Sequence, residues 1–163
     1  KISLLSFFLI LSSGINFFSY LSAQNQTNNT QTIIQDNMTV SENYTNVVDS
    51  YIRGLNEKDL EGILSLYADD ATVEDPVGSK IVSGIAAIRE FYSGAVNIDL
   101  TLTRTGSVRI AGAEAAFPFQ LRMKVDGTPM ITDIIDVFRF DENGKIVSMR
   151  AFWGETNRRV AEE

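Results

Sequence analysis

Between residues 115 and 140 the chain alternates apolar and polar side chains twice, with Asp126-Gly127 between the two runs. Ala115, Phe117, Phe119, Leu121, Met123 and Val125 share one face of the first run, and Gln120, Arg122 and Lys124 share the other. Alternation of this kind marks a strand covered on one side. Asp-Gly is the strongest short hairpin signal, because both central residues of the tight turn need positive φ. Two long strands joined by a hairpin are therefore the frame to which the rest must conform, with Pro118 a local irregularity in the first. On the second, Met130, Ile134, Asp136, Phe138 and Phe140 point one way, while Ile131, Asp133, Ile135, Val137 and Arg139 point the other. Asp136 thus shares a face with large apolar groups. Two arrangements fit: a carboxyl held neutral by loss of hydration, or a strand covered on one side only, with Asp136 near an open edge.

The same period continues on both sides. Leu100 and Leu102, then Val108 and Ile110, read as strands separated by Gly106. Asp141 to Gly144 turns the chain into a last strand, Ile146 to Trp153, with Val147, Met149, Ala151 and Trp153 on one face; by default Trp153 belongs to the core. Upstream the period is helical. Thr39 and Glu42 form a capping-box pattern ahead of the stripe Tyr44, Val47, Val48, Tyr51, Ile52 and Leu55. Asp59 caps a second helix with Leu60, Ile63, Leu64 and Tyr67, ending at Asp69 and Asp70, and Ser83 caps a third with Ile85, Ile88, Phe91 and Tyr92. Helices first and a mostly antiparallel sheet second make an α+β layout in which a strongly curved sheet wraps the helices as a cone. The enclosed pocket is apolar with few polar groups, which suits a flat, poorly soluble ligand.

Composition narrows the chemistry. The chain contains no His and no Cys, which removes His-based triads, thiol nucleophiles, Cys/His zinc sites and disulfides. Acid–base work falls to carboxylates, phenols, Lys and Arg. Fourteen Lys and Arg against 21 Asp and Glu, a net charge of −7, argue against nucleic acid as a partner. Residues 1–23, apolar after Lys1 and interrupted by Ser12, Ser13, Gly14 and Asn16, read as an export signal or a membrane anchor. The expected location is outside the cytoplasm; a misassigned start ahead of a cytoplasmic domain is the alternative. Residues 24–40 read as a disordered polar spacer, with glycosylation-type triplets at Asn25, Asn28 and Asn37 and another at Asn43. Residues 41–163 are the folded domain.

Asp75 precedes Pro76, whose ring pushes the preceding residue toward extended geometry. Asp-Pro is also an ordinary turn opener, and Asp75 is a candidate base on that bend. YIRGLN around Tyr51, YADDATVEDPVGS around Asp75, AAIREFY around Tyr92 and DIIDVFRFDENGKIVSMRAFWGE around Asp136 together resemble the bacterial ketosteroid isomerases, of the nuclear transport factor 2-like and SnoaL-like superfamily. The likeness runs from Val47 to about Asn157. It implies that Asp75 is the base shuttling a proton next to a ketone, and that Tyr51 and a neutral Asp136 are the oxyanion-hole donors; this family is the standard example of an acid kept protonated by an apolar site. Tyr67 and Tyr92 resemble tyrosines hydrogen-bonded behind Tyr51. Trp153 and Phe119 resemble pocket walls, with Trp153 a donor to Asp75. The resemblance further implies a 3-oxosteroid or similar apolar ketone as substrate, a homodimer joined through the sheets, and chemistry that requires no metal or cofactor. The same fold hosts polyketide cyclases, an epoxide hydrolase and non-catalytic ligand-binding modules, so fold alone decides nothing.

Overall fold

The computed structural model describes residues 17–162. The chain divides into two units, one ending at Ser41 and one beginning at Glu42.

Helix α1 (Phe17–Glu57) takes in residues 24–40, where sequence suggested a disordered spacer. Their described side chains are exposed, so no apolar burial supports this stretch. Instead the hydroxyls of Thr27, Thr30, Thr32 and Thr39 donate to carbonyls four residues earlier, a local satisfaction open to Thr inside a helix. Thr39 is therefore an interior residue and not the start of a helix. Among the described residues no helix is long and apolar enough to cross a membrane; the expected signal segment lies, through residue 16, outside the described residues.

In the second unit α1 buries Tyr44, Val48, Tyr51, Ile52 and Leu55, the stripe that its spacing foretold. Helix α2 (Leu60–Leu64) is capped by Asp59, whose Oδ1 accepts from the Gly62 amide at 2.9 Å. It stops short of the expected end. Tyr67, Asp69 and Asp70 belong instead to strand β1 (Tyr67–Glu74), with Tyr67, Ala71 and Val73 buried. Pairing decides this: β1 lies parallel to β7 (Ile146–Phe152), Val73 opposite Met149, and antiparallel to β2 (Val82–Ser83). Helical spacing over four residues is a weaker term than a paired, half-covered strand. Ser83 ends β2, and the N-cap of α3 (Ile85–Val96) is Gly84. At Gly84 φ is 81°, open to a residue without a Cβ, and its amide donates to the Ala71 carbonyl at 2.8 Å.

The remaining strands are β3 (Leu100–Arg104), β4 (Arg109–Ala111), β5 (Glu114–Val125), β6 (Thr128–Phe140) and β8 (Arg158–Val160). The sheet is mixed, curved and unclosed, in the order β2-β1-β7-β6-β5-β3, with β4 also on β5 and β8 also on β6. Asp126 and Gly127 have φ of 49° and 81°, as the tight hairpin requires. Register on the β5–β6 side runs without a break through Pro118, opposite Ile135. The irregularity falls on the other edge of β5. There β3 pairs with residues 119–123 and β4 with 114–116, and the Pro118 carbonyl accepts from Thr105 across the gap at 3.0 Å. Backbone N and O of an antiparallel residue face the same side, so the missing N–H points into the gap and breaks no ladder bond.

Edge strand β3 is held to α1 by an Arg104–Asp49 ion pair at 3.3 Å and by the amide of Asn56. The Asn56 amide donates to the Leu102 carbonyl at 2.9 Å and accepts from the Leu102 amide at 2.7 Å, standing in for a neighbouring strand. Asn56→Ala leaves both groups of Leu102 unpaired and is expected to cost about 1–3 kcal/mol. Urea unfolding of the variant measures this; an unchanged midpoint would show the clamp to be energetically idle.

Candidate active site

Two loops at one end of the sheet place Asp75, the candidate base. After β1, a cis Asp75–Pro76 peptide is followed by Val77, whose amide donates to the Ala151 carbonyl at 2.8 Å. Glu74 accepts from the Gly78 amide at 2.8 Å and from Arg150 at 3.2 Å. The bend is thus tied to β7 on both sides of Asp75. Trp153, just past β7, donates from Nε1 to Asp75 Oδ1 at 2.6 Å, and the carboxylate is half-buried.

Asp136 sits in the middle of β6, opposite Phe117 on β5 and Ala151 on β7. It is 0% exposed, and neither carboxyl oxygen has a hydrogen-bond partner. The open-edge arrangement is excluded. A carboxyl in this position is costly as an anion and far cheaper as a neutral acid. Burial pushes its pKa well above the ordinary range, and the nearby charge of Asp75 pushes the same way, with Tyr51 opposing. Burial raises Asp75 as well, but the Trp153 N–H pulls it back. The two carboxyls are therefore driven apart: Asp75 gives up its proton first and Asp136 keeps one, as expected when like charges share a site.

The third element is a row of phenols. Tyr67 and Tyr92 hydroxyls lie 2.6 Å apart, and Tyr92 donates to Tyr51 at 3.4 Å. With Tyr92 donating onward, Tyr67 donates to Tyr92, and the Tyr51 proton remains to point elsewhere. All three are buried, and burial holds each pKa well above the usual phenol value, so they act as neutral donors.

These groups meet at one cavity, whose empty space counted out to its mouth is about 440 Å³. Tyr51, Asp75, Tyr92, Phe119 and Asp136 line it together. Tyr67 and Trp153 stand one layer behind, against Tyr92 and Asp75 respectively. Trp153 is only half-buried, packed against the core and not within it, with its indole N–H donated to Asp75. The walls also include Leu55, Phe91, Leu100, Leu102, Leu121 and Ile134, which sequence patterning marked as apolar without separating cavity lining from core. Among the described residues no group of three or more metal-ligating side chains converges.

The buried acid carries a stability signature. A folded-state pKa raised above the unfolded value means that the native state binds more protons in the window between them. Stability therefore falls as pH rises from about 4, the unfolded value, toward the folded pKa. Asp136→Asn removes that term, so its stability relative to the parent should grow across the window by up to about 1.4 kcal/mol per pH unit. Chemical denaturation at a series of pH values checks this, and a difference independent of pH would contradict the neutral-acid assignment.

A sequence model of the SnoaL-like domain matches residues 48–149. Over 91 residues the chain is 44% identical to the steroid delta-isomerase of Nocardioides simplex, covering 56% of this chain and 73% of that protein. Over 113 residues it is 31% identical to the epoxide hydrolase LasB of Streptomyces lasalocidi, covering 66% of this chain but 40% of LasB. The solved structure of the epoxide hydrolase/cyclase-like enzyme SalBIII, described in pyran ring formation in the polyether salinomycin, is 32% identical with a TM-score of 0.69. That match covers 74% of this chain and 97% of SalBIII. The chain belongs to the SnoaL-like family of the nuclear transport factor 2-like fold, and within it to the ketosteroid isomerase relatives. These relatives are an isomerase and epoxide hydrolase/cyclase enzymes.

Proposed function

We propose that the protein is a steroid delta-isomerase-type enzyme, moving a C=C bond from β,γ to α,β of a 3-oxosteroid or similar apolar ketone. The observation that supports this reading is the pairing, within one apolar cavity, of an ionisable Asp75 with two neutral donors, Tyr51 and Asp136. In this mechanism Asp75 removes a proton from the carbon between the ketone and the double bond. The electron pair moves toward the carbonyl oxygen to give a dienolate. Tyr51 and Asp136 donate hydrogen bonds that strengthen as charge gathers there, and Asp75 returns the proton to the γ carbon. The row of phenols behind Tyr51 keeps its proton directed at the substrate, and the apolar walls exclude water.

The relatives LasB and SalBIII supply the second reading, an epoxide hydrolase or cyclase. Among the described residues, the charged side chains lining the cavity are Asp75 and Asp136, and with Asp136 neutral a single ionised carboxylate remains. An ionised Asp75 and a neutral Asp136 also make the base and the acid that epoxide opening requires, so what favours the isomerase reading is the second neutral donor in the cavity, Tyr51 with the row of phenols behind it. A non-catalytic ligand-binding module has no use for the arrangement. Incubating the full chain with 5-androstene-3,17-dione and following the ultraviolet absorbance of the conjugated enone tests the reading. Enone formation is expected. Turnover of an epoxide without enone formation would favour the second reading, and binding without turnover the module.

Two further expectations belong to this proposal. The outward face of the sheet carries Ile135 and Phe152, opposite each other in register and 48% and 42% exposed, which supports a homodimer joined through the sheets. Residues 1–23 act as an export signal or anchor, placing the enzyme outside the cytoplasm.

A further inference from the structure

Arg158 opens β8 and pairs through its backbone with Thr132 on β6, so its Cα is fixed by the sheet. Its guanidinium lies over the Trp153 indole, 5.7 Å from the ring centroid, within the range of a cation–π contact. The side chain is 26% exposed, and its Nε is buried without a hydrogen-bond partner. Among the described residues its carboxylate contact is Glu155, three residues away at 3.5 Å and largely exposed. A cation kept on the ring face, with an N–H left unpaired to stay there, is a costly arrangement for a residue that could turn to solvent. The same indole donates to Asp75 at 2.6 Å.

We infer that Arg158 is a positioning residue for Asp75: its charge on the face of Trp153 polarises the indole and strengthens the hydrogen bond that Trp153 donates to the carboxylate. A cation above the ring draws density from the π-system, leaving N–H more positive, and consecutive polar contacts reinforce one another. The other groups facing Asp75 are fixed and neutral or like-charged. Tyr51 comes from α1, Tyr67 from β1, and Asp136 from β6. Glu74 on the preceding residue is engaged with Arg150, and Asp133, beside the Thr132 partner of Arg158, with Arg159 and Gln120. The consequence for catalysis rests on the isomerase reading; the coupling between Arg158 and Asp75 does not.

The test is an NMR titration of isotope-labelled aspartate side chains in the full chain, with Asp75 assigned by the signal lost in Asp75→Asn. Arg158→Met is expected to raise the Asp75 midpoint by about half a pH unit, and Arg158→Lys to restore much of the difference. Arg158→Gln, planar and neutral, serves the same purpose should Arg158→Met not fold. In a Trp153→Phe background the Arg158 substitution should add nothing. An unchanged midpoint would overturn the inference, and an equal rise in the Trp153→Phe background would overturn the route through the indole. The acid limb of the isomerisation rate should move with the midpoint. A midpoint that moves in a protein without isomerase turnover would uphold the link and remove the proposed reaction.

Discussion

Asp75→Asn is expected to slow isomerisation by about 10²- to 10⁴-fold, the range for loss of a positioned proton carrier, with steroid affinity nearly unchanged. The amide oxygen that replaces Oδ1 still accepts from Trp153 Nε1, so the bend and the indole keep their places. Removing one carboxylate also relieves its repulsion of Asp136. The loss therefore falls on kcat, with KM little changed. Steady-state kinetics beside direct binding of a steroid phenol separates the two, and turnover within a few-fold of the parent would refute the assignment of the base.

The second large effect concerns the oxyanion. Each donor is typically worth about 10²–10³ in rate, and in the proposed mechanism Tyr51 and Asp136 serve the same oxygen. Tyr51→Phe combined with Asp136→Leu should lose about four orders of magnitude or more, somewhat above the product of the single losses because the survivor in each single variant re-centres on the oxygen and masks part of its loss. The fold should withstand this. Asp136→Leu replaces a carboxyl that has no partner with an apolar group among Phe117, Phe138 and Ala151, and Tyr51→Phe retains the ring contacts to Phe117 and Phe138. Stopped assays and denaturation on the same preparations distinguish lost chemistry from lost structure; a combined loss below tenfold would place the oxyanion site elsewhere.

Strands with one covered face were legible because a period of two ties every residue to a side. The hairpin at Asp126-Gly127 then set the register that seats Asp136 opposite Phe117. Resemblance supplied the roles, and the structure brings Tyr51, Asp75 and Asp136 to one cavity although 24 to 61 positions separate neighbours along the chain. What patterning could not give depends on tertiary pairing. Tyr67 continues a helical spacing, yet the parallel partner β7 draws it into a strand. Asn56 looks like a solvated residue near a helix end, and only the fold discloses that its amide serves Leu102, 46 positions away. Ser83 is a better N-cap by residue type than Gly84, but β2 claims it for pairing with Thr72. The threonines of residues 24–40 bond to their own helix, a choice that composition leaves open.

In the proposed reaction one side chain carries one proton between two carbons. The most direct test is to give the full chain a β,γ-unsaturated 3-oxosteroid deuterated at the carbon between ketone and double bond, and to locate the label in early product by mass spectrometry. Transfer by Asp75 inside an apolar cavity predicts deuterium at the γ carbon in a substantial fraction of the product. Product carrying only solvent hydrogen at that carbon from the first turnovers, or no conversion at all, would contradict it.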